Sequence, residues 1–207
     1  MKSLLTDPDR FFADESTDPD LLFPSIIVVA AGLLGALSQL PMLEYVDQSL
    51  TGTAAGASSL IYVSTLVGAV VGPIVIWLIV TAFFYGVATM AFDGEGSFVD
   101  TLGLVGWGYV PAVLSGLLSV FGYYWVFSTR PPESISDPRM VQTFLQDLQG
   151  IPEIRALIAV GILFTLWQGV IWAYAIKQGL DVSLREGAIT AALPVVATVL
   201  FSLNSLL

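Results

Sequence analysis

The chain contains no cysteine and no histidine. That absence removes the thiolate nucleophile, the disulfide, the imidazole general base and every thiolate–imidazole zinc site together. Lysine occurs only as Lys2 and Lys177, neither inside an apolar run. A retinal Schiff base is therefore excluded, and a serine–lysine hydrolase finds no serine motif beside either lysine. Charge is scarce: Asp, Glu, Lys and Arg make up 12% of 207 residues, against about 25% in a soluble domain. Seven basic residues face seventeen acidic ones, for a net charge of -10. Phosphate contacts need clustered Lys and Arg, so nucleic acid is not an expected partner. Polybasic attraction to anionic lipid is missing for the same reason. The residue set points to a non-enzyme without cofactor or resident metal.

What is present is apolar. Hydrophobic residues make up 56% of the chain, and the mean hydropathy is +0.83. Crossing a hydrocarbon core of ~30 Å takes roughly 20 such residues as a helix. Five runs satisfy this: 21–40, closed by Pro41; a long helix over 58–91, preceded by a loop or ragged helix start at 51–56; 101–128; 154–176; and 187–207. The expected fold is all-α: an integral membrane bundle of five transmembrane helices with the lipid bilayer as its medium. The first run follows an acidic leader and is too long for a signal-peptide core, so it reads as a retained span. Residues 1–20 form an acidic cytoplasmic segment, and 21–207 form the membrane domain.

Prolines punctuate the runs. Gly72-Pro73 predicts a kink in the second helix, since proline removes one backbone bond and clashes one turn back. Pro111 and Pro194 interrupt the third and fifth runs, and the similar text after each suggests a distant internal repeat. Between the third and fourth spans, Asp137-Pro138 opens a short amphipathic helix. Its Met140, Val141, Phe144, Leu145 and Leu148 share one face, and Gly150 and Pro152 end it. Its polar face lacks lysine, which favours a lid packed on the bundle over a lipid-binding helix. Asp7-Pro8 opens another short segment, whose Phe11 and Phe12 are expected to dip into the membrane interface.

Orientation follows from the bases. With the N-terminus inside, Lys2, Arg10, Lys177 and Arg185 are cytoplasmic and Arg130, Arg139 and Arg155 are outside. The expected location is the cytoplasmic membrane. The acid-rich, lysine-poor surface suits a halophilic prokaryote, whose salt screens the self-repulsion.

No charged side chain lies at the centre of any run, which argues against a proton-coupled carrier. Gln168 is the strongest polar group near a midplane and is expected to make an interhelical hydrogen bond. The loop Asp93-Gly94-Glu95-Gly96-Ser97 lacks the Gly-Lys-Ser/Thr ending of a phosphate-binding loop. Asp93, Glu95 and Asp100 are weak candidates for a hard-cation site through oxygen. A tight turn with Ser97 as the next N-cap is the favoured reading of the same residues. Small residues pair at close-packing spacing at Gly32 and Gly35, Gly52 and Gly56, Gly68 and Gly72, and Gly103 and Gly106, which points to helices packed against one another. Trp77, Trp107, Trp125, Trp167 and Trp172 fall near run ends, as an interfacial belt would.

Two stretches carry a family likeness. The opening Leu5-Thr6-Asp7-Pro8-Asp9-Arg10-Phe11-Phe12 is followed by an acidic gap and a span. Further on, Gly94-Glu95-Gly96-Ser97-Phe98-Val99-Asp100-Thr101-Leu102 leads to Gly106-Trp107-Gly108-Tyr109-Val110-Pro111. With the five-run layout, the sequence resembles a prokaryotic, haloarchaeal-like member of the Yip1 (Yip1/YIPF) family. The resemblance implies five spans, a cytosolic N-terminus, and Gly108, Tyr109 and Pro111 as family-motif positions. Eukaryotic relatives act in ER–Golgi vesicle traffic and bind Rab GTPases and one another. Here the N-terminal segment is short and the Asp-Leu-Tyr-Gly-Pro motif is absent, which argues against Rab-type GTPase binding. The expected role is a non-enzymatic scaffold or membrane-organising partner that contacts other membrane proteins or copies of itself. The alternative is a transporter or channel component with its pathway at the breaks marked by Gly72, Pro73, Pro111 and Pro194. A continuous polar cavity lined by Gln168, Ser115 and Thr81 would mark the transporter, and a dry centre the scaffold.

Overall fold

A computed structural model describes residues 4, 6–50, 58–204 and 206. The loop expected at 51–56, the pair Gly52 and Gly56, and Lys2 lie outside the described residues. The described chain forms helices α1 (Pro8–Glu15), α2 (Leu22–Ser49), α3 (Ser58–Ala91), α4 (Phe98–Trp107), α5 (Val110–Ser128), α6 (Val141–Gln149), α7 (Pro152–Gly179) and α8 (Leu184–Asn204), with a 3-10 turn over Pro138–Met140. Among the described residues, five segments are long and apolar enough to cross a membrane: Leu22–Ser49, Val71–Ala91, Phe98–Ser128, Pro152–Gly179 and Leu184–Asn204. Their outer faces stay apolar, with Phe23, Ile79, Phe121, Leu163 and Phe201 among the large exposed side chains. In water such a surface would aggregate; in lipid it is the solvent-facing side.

Helices α7 and α8 pack along their lengths, as do α2 and α5. Helix α3 packs on α2, and α5 packs on α7. Both α2 and α7 therefore lean on α5 while scarcely touching each other. One end of the bundle gathers α1, the 92–97 loop and the 180–183 turn, tied by the Glu95 N–H donating to the Leu180 carbonyl at 2.9 Å. The other end gathers the tail of α2, residues 129–137 and α6. There the Ile135 N–H donates to the Ser49 carbonyl at 2.9 Å.

Several expectations are corrected. Pro41 does not close the first span; α2 continues through it to Ser49. Proline removes one backbone bond, but tertiary contacts hold the next turns. The Tyr45 ring lies 5.1 Å from Phe127 and 6.2 Å from Phe144, and its hydroxyl donates to the Pro131 carbonyl at 3.1 Å. Pro73, by contrast, sits inside α3, within the long helix expected over 58–91. The third run is two helices, broken at Gly108-Tyr109, so Pro111 opens α5 whereas Pro194 lies within α8. The two prolines thus occupy different structural places, which removes the basis for the repeat. Phe11 and Phe12 do not enter the interface; both are buried against the bundle, with Phe11 edge-on to Trp107 at 5.1 Å.

The amphipathic helix is the lid expected from its polar face. In α6, Phe144 and Leu148 are buried with Tyr45, Val126, Phe127 and Ile154, while Gln142, Thr143, Gln146 and Asp147 face outward.

Candidate functional site

Two places concentrate unusual chemistry. The first is the joint between α4 and α5. Pro111 has no N–H to continue the helix ladder, so the chain tightens. The Gly108 N–H donates to the Val105 carbonyl at 3.0 Å and the Tyr109 N–H to the Gly106 carbonyl at 3.1 Å. The Val105 carbonyl also accepts from the Trp172 indole N–H of α7 at 3.1 Å. Trp172 fits because position 108 is glycine: a Cβ there would lie 2.2 Å from Trp172 Cδ1 and 2.3 Å from Nε1. Tyr109 meets the same indole edge-on at 5.8 Å, and Phe84 of α3 does so at 5.3 Å. The Trp77 indole donates to the Leu102 carbonyl at 3.0 Å. Three helices thus converge on one break through aromatic rings and two indole hydrogen bonds.

The tryptophan belt is corrected for three of its five members. Trp77, Trp107 and Trp172 are buried, and each donates its N–H inside the protein, Trp107 to Glu15 Oε1 at 3.2 Å. Only their nearness to run ends was visible in the sequence; the carbonyls that receive them are remote in the chain. Among the described residues, the hydroxyls of Tyr109, Thr81 and Thr190 are buried without a partner.

The second place is the cleft where α2 and α7 part. Ala31, Gly35 and Ser38 of α2, Ala112, Ser115, Gly116 and Ser119 of α5, and Gly161, Phe164, Thr165 and Gln168 of α7 enclose a cavity of about 210 Å³. These residues straddle the midpoints of three spans, near residues 35, 113 and 165. The lining holds no charged side chain. Ser38 and Thr165 donate to the Gly35 and Gly161 carbonyls of their own helices at 2.7 and 3.1 Å. The Gln168 carboxamide and the Ser115 and Ser119 hydroxyls make no side-chain hydrogen bond among the described residues. The interhelical bond expected of Gln168 is not formed. Gln168 and Ser115 share this cleft, but Thr81 does not line it; it lies buried on α3 between Trp77 and Phe84.

The glycine pairs divide. A Cβ at Gly106 would lie 2.5 Å from the Pro24 Cβ, and one at Gly103 would lie 2.8 Å from the Asp20 carbonyl oxygen. Those two glycines let α4 press on the start of α2. Gly35, Gly68 and Gly72 instead face open space.

The 92–97 loop is a docked turn. Asp93 adopts φ 54° and Asp181 φ 49°, and the Gly94 N–H donates to the Ala88 carbonyl at 3.0 Å. Ser97 caps α4 by accepting from the Asp100 N–H. Among the described residues no three acidic side chains gather to hold a metal ion, so Asp93, Glu95 and Asp100 do not form a cluster of that kind.

At the α1 end, Lys177 donates to Asp9, and Gln178 donates to the same carboxylate at 3.0 Å. The Lys177 hydrogen bond and then the Gln178 bond hold the Asp9 carboxyl below its ordinary value. Asp20, which accepts from the Leu22 and Phe23 N–H groups at the start of α2, is held low by those backbone bonds.

The Yip1 domain matches residues 2–206. An uncharacterized protein of the archaeon Methanocaldococcus jannaschii is 30% identical over 122 residues, covering 58% of this chain and 86% of that protein. No solved structure matches the chain. With five membrane-crossing segments and a match over nearly its whole length, the chain belongs to the Yip1 family as a multi-pass membrane protein.

Proposed function

We propose that the protein is a non-catalytic, membrane-organising scaffold of the cytoplasmic membrane, acting through contacts with other membrane proteins or further copies of itself. The observation that carries this reading is the closure of both ends. At one end Leu4 and the α1 residues Phe11 and Phe12 pack together with Leu104, Trp107, Ile171 and Ala175. At the other, α6 presses Phe144 and Leu148 onto the tails of α2 and α5 and the start of α7. A conducting pore needs a polar path that reaches water on both sides, and apolar plugs oppose one. In this reading the N-terminus is cytoplasmic, residues 1–20 form the cytoplasmic segment, and its α1 caps the membrane domain 21–207. Gly108, Tyr109 and Pro111 act as the joint that fixes its shape. No Rab-type GTPase is required.

The test uses the absence of native cysteine. Single cysteines at Asp18 and Ser134, which lie at opposite ends and are exposed, are treated with an impermeant maleimide in intact cells. Labelling is expected at Ser134→Cys alone. In proteoliposomes the protein is expected to pass sugars, amino acids and monovalent ions no faster than empty vesicles. Photo-crosslinkers at exposed lipid-facing positions are expected to yield discrete adducts. Diffuse lipid adducts alone would overturn the scaffold.

The second reading, a carrier, is favoured by one observation: the mid-membrane cleft that holds Gln168 and Ser115. Protein-dependent solute flux would select it over the scaffold.

A further inference from the structure

We propose that the cleft between α2 and α7 binds membrane-dissolved molecules that carry an uncharged hydrogen-bonding head on an apolar tail. This does not rest on the scaffold role. Three observations meet at the cleft. It opens sideways, because α2 and α7 lean on α5 without packing on each other and Gly35 at its edge is exposed with nothing against it. It lies at the depth of the span midpoints. It presents the Gln168 amide and the Ser115 and Ser119 hydroxyls, which have no partner among the described residues.

A polar amide facing hydrocarbon keeps its full desolvation penalty until something bonds to it. Whatever enters sideways at that depth arrives from the lipid phase. A phosphate or ammonium head would need a countercharge, and the lining has none. A carbonyl or hydroxyl needs only donors and acceptors, which an amide and two serines supply. The size agrees: about 210 Å³ is several times the roughly 30 Å³ of one water, yet too little for a helix about 10 Å across. Gly35 and Gly161 make the room, Gly116 lets α5 press on Leu34 of α2, and Phe164 offers a face for a flat head. Quinone-type carbonyl heads and diglyceride-type hydroxyl–ester heads share this chemistry.

The test uses the full chain in phosphatidylcholine nanodiscs. Three photoreactive probes carry a head-proximal diazirine: a short-tailed benzoquinone, a diacylglycerol and a phosphatidylcholine. Adducts are mapped by mass spectrometry. Saturable labelling of α2, α5 and α7 around the cleft is expected from the quinone, the diacylglycerol or both, and which of them labels identifies the source. Unlabelled probe should compete. Gln168→Leu should reduce cleft labelling about fivefold, the size of one or two lost hydrogen bonds. Gly35→Leu, whose side chain enters open space and spares the packing, should reduce it further. Thermal unfolding of both variants checks that the fold persists. The proposal fails if neutral probes label the lipid-facing surface as evenly as phosphatidylcholine does. It also fails if Gly35→Leu leaves cleft labelling unchanged, or if the cleft crosslinks to a helix of a second copy instead.

Discussion

The α4–α5 joint and the α2–α7 cleft are both made where the helix ladder or the helix packing gives way, and they resolve the problem in opposite ways. At the joint, one broken ladder is covered by an indole from another helix, and a missing Cβ at Gly108 admits it. In the cleft, two helices part and leave an amide and two hydroxyls unpaired among the described residues. The joint spends its small residues on contact; the cleft keeps Gly35 and Gly161 for space and spends Gly116 on contact with Leu34. A fixed kink and an open binding surface therefore need the same residue types, and only the neighbouring helix tells them apart.

The sharpest contrast is between two glycine substitutions. Gly108→Ala places a methyl about 2.2 Å from Trp172 Cδ1, so the indole must move and its bond to the Val105 carbonyl is lost. The expected destabilisation is about 2–4 kcal/mol from overpacking plus a lost buried hydrogen bond. Gly35→Ala meets nothing within 4 Å, and alanine is up to about 1 kcal/mol better than glycine in a helix. It should be neutral or slightly stabilising. Thermal unfolding in detergent measures both; equal effects would erase the distinction between the regions.

Trp172→Phe keeps the ring and removes the donor. The Val105 carbonyl retains the Gly108 N–H, so the loss should be smaller, about 1–2 kcal/mol. A loss no larger than that of Trp125→Phe, whose ring is exposed, would show that the indole N–H contributes nothing.

These two regions differ in how far they could be read from the chain. The five spans were legible because each is a run long enough to cross lipid. Pro111 announced the joint, and Gly108, Tyr109 and Pro111 stood together in the text. Trp172 did not, because its role depends on a carbonyl 67 residues earlier, and indole position near a run end looks the same in a belt as in a clasp. In the cleft, Gln168 and Ser115 stood out as polar groups in apolar text. Ser38, Ser119 and Thr165 gave no signal, since helical Ser and Thr ordinarily bond back to their own helix. That α2 and α7 separate is invisible, because spans apolar on every side do not declare their neighbours. Pro41 and Phe12 misled for the reverse reason: local rules end a helix at proline and send an exposed phenylalanine to the interface, and remote packing overrode both.

Salt should act on the ends and spare the joint. Asp7, Asp14, Asp18, Asp93, Glu95 and Asp181 are exposed at the α1 end, with Arg10 and Arg185 the exposed bases nearby. Diluting from about 1 M to about 0.1 M salt lengthens screening from about 3 to about 10 Å, and self-repulsion rises. The unfolding temperature should fall by about 2–4 °C, the shift that accompanies about 1 kcal/mol in a chain of this size. Calorimetry across salt concentrations measures it, and a flat response would remove the halophilic expectation.

The smallest effect is expected from acid at the same end, and it separates the docking of α1 from the integrity of the spans. Asp9 is held below its ordinary carboxyl value by its bonds to Lys177 and Gln178. A group lowered on folding supports the docked state above its unfolded pKa, near 3.8, and that support is lost as pH falls through the lower folded value. Below that value α1 should loosen while the joint stays intact, because the ring contacts and indole bonds at Trp172 involve no ionisable carboxylate. Trp107, which touches Phe11 and donates to Glu15, reports the loosening through its own fluorine resonance when all five tryptophans are fluorine-labelled, which leaves Trp77 and Trp172 in place. Asp9→Asn should shift that signal at neutral pH and flatten its acid transition. An acid transition of unchanged midpoint in Asp9→Asn would take the loosening away from Asp9, and the α1 clamp would then rest on the Phe11–Trp107 contact rather than on Lys177.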